Sequence, residues 1–249
     1  MKYDLHIHSC LSPCGDSDMT PNNIAGMALL GGIELVALTD HNTTLNCPAF
    51  FKACEKLGVT PIGGMELTTA EDIHVVCLFP CLESAMEFGE VVAAHRMKIK
   101  NRPDIFGEQT VLNEDDEIIA SVEDLLVAGT DLDLTTAYEL VMSFGGAMFP
   151  AHVDKQSNGI LAILGDFPLE PVFATAEFHD ISKRAEYIQS YPALASMNCI
   201  TCSDAHYLHL MSEDPDDLPM VREGVSDETI RKKVISYLNG KNSKTIEKA

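Results

Sequence analysis

One feature limits how this chain can fold more than any other: short apolar runs recur, and histidines and carboxylates follow them directly. Residues 33–38 (IELVAL) lead into Thr39-Asp40-His41-Asn42, and residues 59–63 lead into Gly64-Met65-Glu66. Residues 147–150 lead into Ala151-His152, and residues 200–202 into Ser203-Asp204-Ala205-His206. The strand-like residues 2–5 run in the same way into His6-Ile7-His8, and His74 lies inside a further apolar run, IHVVCLF. Residues 173–178 are also strand-like. Helix-like segments lie between these runs: 22–30, opened by Pro21 and closed by Gly31-Gly32, then 50–57 stopped by Gly58, 84–97, 135–143, 183–190 and 225–239. Such alternation calls for an α/β domain with mainly parallel strands. In that architecture functional groups gather at the carboxyl ends of the strands.

The chain has 249 residues, which suits a single domain over 1–249 with an ample core. Residues 102–134 break the rhythm. They are acidic, carry little strand signal, and read as a helical or irregular insertion, either a cap over a site or a surface excursion. Against 38 Asp and Glu stand only 17 Lys and Arg, a net charge of -21. A protein that grips nucleic acid through its phosphates presents a basic face, so duplex nucleic acid is not expected as a partner. Trp is absent and aromatics are 6% of the chain, which offers little platform for stacking single-stranded bases. There is no apolar leader at the start and no apolar run of roughly 20 residues. The expectation is a cytoplasmic protein without a membrane partner, its eight Cys reduced.

His6 and His8 are two apart and so share one face of a strand, where two imidazoles can hold one cation. Asp204 and His206 repeat that spacing. Glu66 is a carboxylate able to bridge two cations. His74, embedded in an apolar run, reads equally as a core histidine until its neighbours are considered. Mixed imidazole and carboxylate donors suit Zn, Mn or Fe better than hard oxygen-only ions. The pairs Cys10/Cys14, Cys77/Cys81 and Cys199/Cys202 admit a thiolate metal or redox reading, but their spacings match neither a ferredoxin nor a zinc ribbon, and free Cys is among the most buried residue types.

Taken in order, His-x-His, Thr-Asp-His, Gly-x-Glu with a later His, Ala-His and Ser-Asp-Ala-His resemble the polymerase and histidinol phosphatase (PHP) superfamily, from residue 4 to about residue 209. The resemblance implies a distorted (β/α)7 TIM-like barrel carrying the acidic insertion, with a trinuclear site at the strand carboxyl ends. It implies His6, His8, Glu66 and Asp204 around a first metal, and Glu66, His74 and His152 around a second. A third would take His41, His206 and a carboxylate of the loop before Thr20-Pro21, with Asp16 chosen and Asp18 the alternative. Where the family often has a Pro after the Ala-His motif, this chain has Val153-Asp154-Lys155.

The implied cofactors are two to three divalent ions (Zn, Mn or Fe), and the implied activity is phosphoester hydrolysis by metal-activated water. Asp40 is read as a partner that orients an imidazole, and His179 as a residue that touches substrate or lines the rim. Lys155 and Arg184 are either phosphate contacts or solvated charges, while His95 and His209 read as surface residues. The expected substrate is a small phosphorylated molecule, with histidinol phosphate, a nucleotide or a short oligonucleotide (5′-3′ exonuclease) open. The other classes are a metal-dependent amidohydrolase and a non-catalytic metal-binding protein.

Overall fold

The computed structural model describes residues 1–211, 215–221 and 224–241. Asp214, at the head of an acidic stretch, lies outside them. The elements run β1 (Tyr3–Asp4), α1 (Pro21–Leu30), β2 (Leu35–Leu38), α2 (Cys47–Leu57), β3 (Thr60–Thr68), β4 (His74–Phe79) and α3 (Leu82–His95). They continue α4 (Pro103–Phe106), β5 (Thr110–Leu112), β6 (Ile118–Ser121), α5 (Leu134–Ser143), β7 (Ala147–Pro150), α6 (Ile160–Leu164), β8 (Thr175–Phe178), α7 (Arg184–Ser190), β9 (Asn198–Thr201) and α8 (Asp227–Leu238). Local chemistry sets several helix ends, although α2 begins at Cys47, three residues before the expected 50, and α3 lies two residues earlier than expected. Thr20 caps α1 ahead of Pro21, and Gly58 ends α2 in the left-handed region at φ 71°.

The expected single seven-stranded barrel holds only in part. A curled sheet has the order β1-β2-β3-β4-β7, and β8-β9 form a separate parallel ladder. Nor is the large sheet all parallel: β4 runs antiparallel to both β3 and β7. The cause is local. Only residues 69–73 separate β3 from β4, and Asp72 N–H closes a turn onto the Thr69 carbonyl at 3.0 Å. A parallel return needs a crossover of a dozen or more residues. The two sheets meet at the strand carboxyl ends, where His8 N–H donates to the Ala205 carbonyl (3.0 Å) and Val153 N–H to the Glu177 carbonyl (2.8 Å).

Both faces of the large sheet are buried. Val36 and Leu38 pack outward with α1 and α2, while Leu35, Ala37, Val76, Leu78 and Phe149 face an interior cluster that α8 closes with Ile230, Val234 and Leu238. Each such α8 side chain contributes ~1.5–3 kcal/mol through burial. With α8 across one end, the opposite end is left for polar chemistry. Gly64 keeps β3 and β4 in register there, since a Cβ at that position would overlap the Cys77 carbonyl.

Residues 102–134 hold the short helix α4 and two strands that were not expected. The strands form an antiparallel hairpin, β5-β6. Its acidic turn is organised by Asn113, whose Oδ1 accepts from Asp115 N–H (3.0 Å) and Glu117 N–H (2.9 Å). The flanking apolar runs are short, which is why composition alone hides them. Among the described residues no helix is long and apolar enough to cross a membrane.

Candidate metal centre

The strand ends bring His6, His8, Glu66 and Asp204 together, all four buried or nearly so. The Nε2 atoms of His6 and His8 are 3.2 Å apart. Glu66 presents Oε1 to His6 at 3.5 Å and Oε2 to His8 at 3.3 Å, while Asp204 Oδ1 lies 3.5 and 3.4 Å from the same two nitrogens. A tetrahedral ion with ligand bonds of 2.0–2.1 Å requires donor–donor edges of about 3.3 Å. The donor set therefore fits a cation of that size in chemistry and in spacing.

The other ring nitrogens are held by partners that leave Nε2 free to ligate. His6 Nδ1–H donates to buried Glu177, 2.9 Å to Oε2 and 3.1 Å to Oε1. Asp40 Oδ1 accepts the Ser12 hydroxyl proton at 2.7 Å, so Ser12 Oγ accepts from His8 Nδ1–H at 3.0 Å and from His41 N–H at 3.1 Å. Asp40 also takes Ser9 N–H and Ser9 Oγ–H at 2.7 and 2.6 Å. It thus orients His8 through Ser12 and touches no imidazole itself.

Glu66 faces three further imidazoles: His74 Nδ1 at 2.8 Å and His152 Nε2 at 3.2 Å from Oε1, and His41 Nδ1 at 3.1 Å from Oε2. The His41 nitrogen is buried without a directed hydrogen bond. Two more groups of donors follow, His41/Glu66/His74 and His8/His41/His206. His41 and His8 thus stand between groups to which the family resemblance gave them singly. Asn42, His152 and Asp204 hold left-handed backbone (φ 52°, 30° and 50°), a conformation that costs of order 1–3 kcal/mol for a non-glycine residue and collects at functional sites.

Electrostatics follow the packing. Burial alone would lower His6, but Glu177, Asp204 and Glu66 outweigh it and hold the imidazole well above its ordinary value. His8, buried but bonded to Asp204 and Glu66, is raised to about 9. Burial pushes His41 well down, helped by His8, His74 and His206, and takes His206 to about 4. Burial would raise Glu66, but His74, His6 and His41 reverse it and hold the carboxyl well below the usual range. Without a cation, protons on His6 and His8 offset these carboxylates. Metal binding through Nε2 must expel them, so apparent affinity is expected to rise with pH, about tenfold per unit for each proton displaced, the His8 contribution levelling off at about 9. Calorimetry of Zn or Mn binding in buffers of different ionisation enthalpy reads the proton count directly, and affinity that stays flat from pH 6 to 8 would refute it.

A hollow of about 190 Å³ opens over these groups, lined by His41, Glu66, His74, His152, Asp204 and His206 with Lys155, Ser157 and Asn158. Lys155 Nζ pairs with Asp204 Oδ2 at 2.7 Å; Arg184 is not in this wall. Asp16 and Asp18 join none of the donor groups, although Asp16 N–H donates to the His206 carbonyl at 2.9 Å. His179 faces another cavity, beside Tyr3, Asp4 and Cys202, and its N–H is held by Asp154 Oδ1 at 2.7 Å. His95 pairs with Asp131 at the surface and His209 is exposed. No thiol belongs to a donor group among the described residues. Glu177 and Ser12 are the residues that sequence reasoning missed. For Glu177 the signal was its place at the end of an apolar strand.

Residues 4–144 match the PHP domain family, more than half of the chain. Among curated relatives, an uncharacterised protein of Methanocaldococcus jannaschii is 40% identical over 87 residues, 32% of this chain and 50% of that protein. A 5′-3′ exoribonuclease of Haemophilus influenzae is 34% identical over 80 residues (31% and 28%). A phosphoribosyl 1,2-cyclic phosphate 1,2-diphosphodiesterase of Eggerthella lenta is 37% identical over 65 residues (26% and 24%). The matches therefore span half or less of each relative.

Among solved structures, the lesion-specific endonuclease EndoQ of Pyrococcus furiosus shares the fold at TM-score 0.62 and 21% identity, over 97% of this chain and 56% of that one. A Bifidobacterium adolescentis protein of proposed metal-dependent phosphoesterase activity does so at 0.56 and 17%, over 95% and 96%. Endonuclease Q bound to a 27-mer duplex with an abasic lesion gives 0.55 and 22%, over 83% and 49%. The expectation, drawn from charge, that duplex nucleic acid is no partner is therefore not borne out.

Proposed function

This chain belongs to the PHP domain family, and on that premise we propose that it is a metal-dependent hydrolase of phosphoesters, acting on a small phosphorylated substrate. The observation that carries the reading is the quartet of His6, His8, Glu66 and Asp204, spaced as one cation's ligands with both imidazole tautomers held by Glu177 and Ser12. Glu66 is shared with a second position held by His41, His74 and His152. A third is proposed at His41 and His206, with Asp16 as the adjoining loop carboxylate. Divalent cations bound there supply a water of lowered pKa and a field that neutralises phosphoryl oxygens.

The chain's own groups do the rest. Glu177 holds the His6 proton on Nδ1, and Asp40 with Ser12 holds that of His8. Lys155, at the wall of the hollow, is proposed to bind a phosphoryl oxygen once Asp204 is engaged by metal. Lys155→Ala should raise KM and cut kcat/KM about tenfold with metal content unchanged, the size expected for one charge-assisted hydrogen bond. Unaltered kinetics would remove Lys155 from the site.

The test is elemental analysis of the purified protein together with phosphate release from histidinol phosphate and nucleoside monophosphates, strand cleavage of short oligonucleotides and of a lesion-bearing duplex, and hydrolysis of a carboxamide as the amidohydrolase control. Bound metal with turnover of a phosphoester supports the reading. Failure to take up Zn, Mn or Fe on reconstitution, or turnover of the carboxamide alone, would overturn it.

A further inference from the structure

The hollow over the metal-ligating groups has room for a phosphoryl group and little more. Beside it runs a groove of about 820 Å³, between the loop that carries Cys14 and Asp16 and the insertion that carries Ile105, Phe106 and Ile118. Their walls are joined through the backbone at His206. Tyr207, in the groove wall, follows His206 directly, and Asp16, in the same wall, is bonded to the His206 carbonyl. Cys14, exposed, belongs to the same wall.

The insertion side is a fixed wall. Asn42 and Asn46, buried in the stretch that begins with His41, reach across to it. Asn42 Nδ2–H donates to the Leu126 and Ala128 carbonyls (2.7 and 3.1 Å). Asn46 takes Leu112 N–H on Oδ1 (2.9 Å) and donates to the Thr110 carbonyl (3.2 Å). At the far end Thr20 Oγ1–H donates to Asp116 Oδ2 at 2.6 Å. The wall is therefore pinned to the segment that positions a metal-ligating histidine.

The groove offers exposed apolar side chains beside carboxylates. Ile105, Phe106, Ile118 and Tyr207 are all exposed at it, Ile118 by 68%. Exposed apolar side chains gathered at one opening mark a binding surface more than a resting one. Asp16, Glu108 and Asp116 supply its charge, and among the described residues no Lys or Arg lines it. Additional phosphates would meet Glu108 and Asp116 with no Lys or Arg beside them in the lining.

We propose that this groove is the leaving-group subsite, taking a flat aromatic group of nucleobase size, uncharged or cationic, and turning away polyanionic extensions of the substrate. The role as a leaving-group subsite rests on the phosphoesterase reading, whereas the ligand class rests on the groove alone.

The experiment keeps these apart. The metal-loaded protein, labelled at its Ile δ1 methyls, is titrated with adenosine and, as a control, with ribose. Adenosine should shift the Ile105 and Ile118 methyls saturably in the millimolar range and ribose should not; Phe106→Ala should weaken the adenosine response about fivefold, the scale of one aromatic contact. In parallel, Phe106→Ala should raise KM for p-nitrophenyl phosphate by about the same factor and leave glycerol phosphate hydrolysis unchanged. Adenosine shifts without any phosphate release would support the groove's ligand class and sink the phosphoesterase reading. Phosphate release with no shift at Ile105 or Ile118, or equal losses on both esters, would overturn the subsite.

Discussion

Glu66→Gln is expected to strip most of the metal from the protein and to lower phosphate release by about 10³-fold, the several kcal/mol that bound metal supplies to such reactions. No other side chain in the centre has as many partners: five imidazoles lie within 3.5 Å of its two oxygens. Each oxygen serves a different set, Oε2 with His8 and His41, Oε1 with His6, His74 and His152. An amide keeps the shape and loses both the charge and one of the two acceptors, so it can serve one side only. Buried imidazoles that now balance a carboxylate would face a neutral group, and their affinity for a cation would fall with it. Elemental analysis and phosphate release on the same preparation check this. Retention of full metal and full activity would exclude Glu66 as a shared ligand.

The second large effect is expected at Glu177, which is proposed to touch neither metal nor substrate. Glu177→Gln should weaken metal binding 10–100-fold, the usual cost of losing a carboxylate behind a ligating histidine. Its carboxylate accepts the His6 Nδ1 proton and so leaves the Nε2 lone pair toward His8, Glu66 and Asp204. A glutamine can turn its amide N–H toward Nδ1 and so favour the other tautomer, which puts a proton where a cation belongs. The distinguishing readout is rescue. Excess metal should restore kcat in Glu177→Gln, because the ligands themselves are intact, and should not do so in Glu66→Gln. A Glu177→Gln variant that binds metal as tightly as the parent, or that no excess of metal revives, would refute the positioning role.

Much of the site could be read from the chain because its ligands sit one or two residues beyond apolar runs. Strand ends are local facts: IELVAL stops at a polar Thr-Asp-His, and the fold places that end beside the others. The same logic was insufficient around residues 177–179. Strand alternation puts Glu177 and His179 on one side, yet β8 ends at Phe178, and Asp154 captures the next two backbone N–H groups and turns the chain away. Glu177 faces His6 as a result, and His179 faces a separate cavity. Asp16 shows the converse. Its separation from Pro21 matched a ligand, but a loop whose course is held by backbone contacts to His206 leaves the carboxylate outside the donor groups. The hairpin in the insertion escaped notice because its two strands are three and four residues long and an acidic turn dominates their composition.

By itself, then, the sequence determined the α/β order of elements, the helix boundaries set by Pro, Gly and capping residues, and the identity of the imidazoles and carboxylates at the strand ends. Those are consequences of local propensity and side-chain chemistry, acting over a few residues. The tertiary structure alone decided that β4 turns back antiparallel, that the strands divide into a sheet of five and a ladder of two, which donors come within reach of one another, and which partners hold the ring nitrogens of His6 and His8. The physical reason is reach. The proton on His6 is placed by a carboxylate 171 residues away, and the wall beside the centre by an Asn42 amide bonded 84 residues on. Lone-pair direction and charge balance are properties of such distant neighbours, and they exist only once the chain has brought them together.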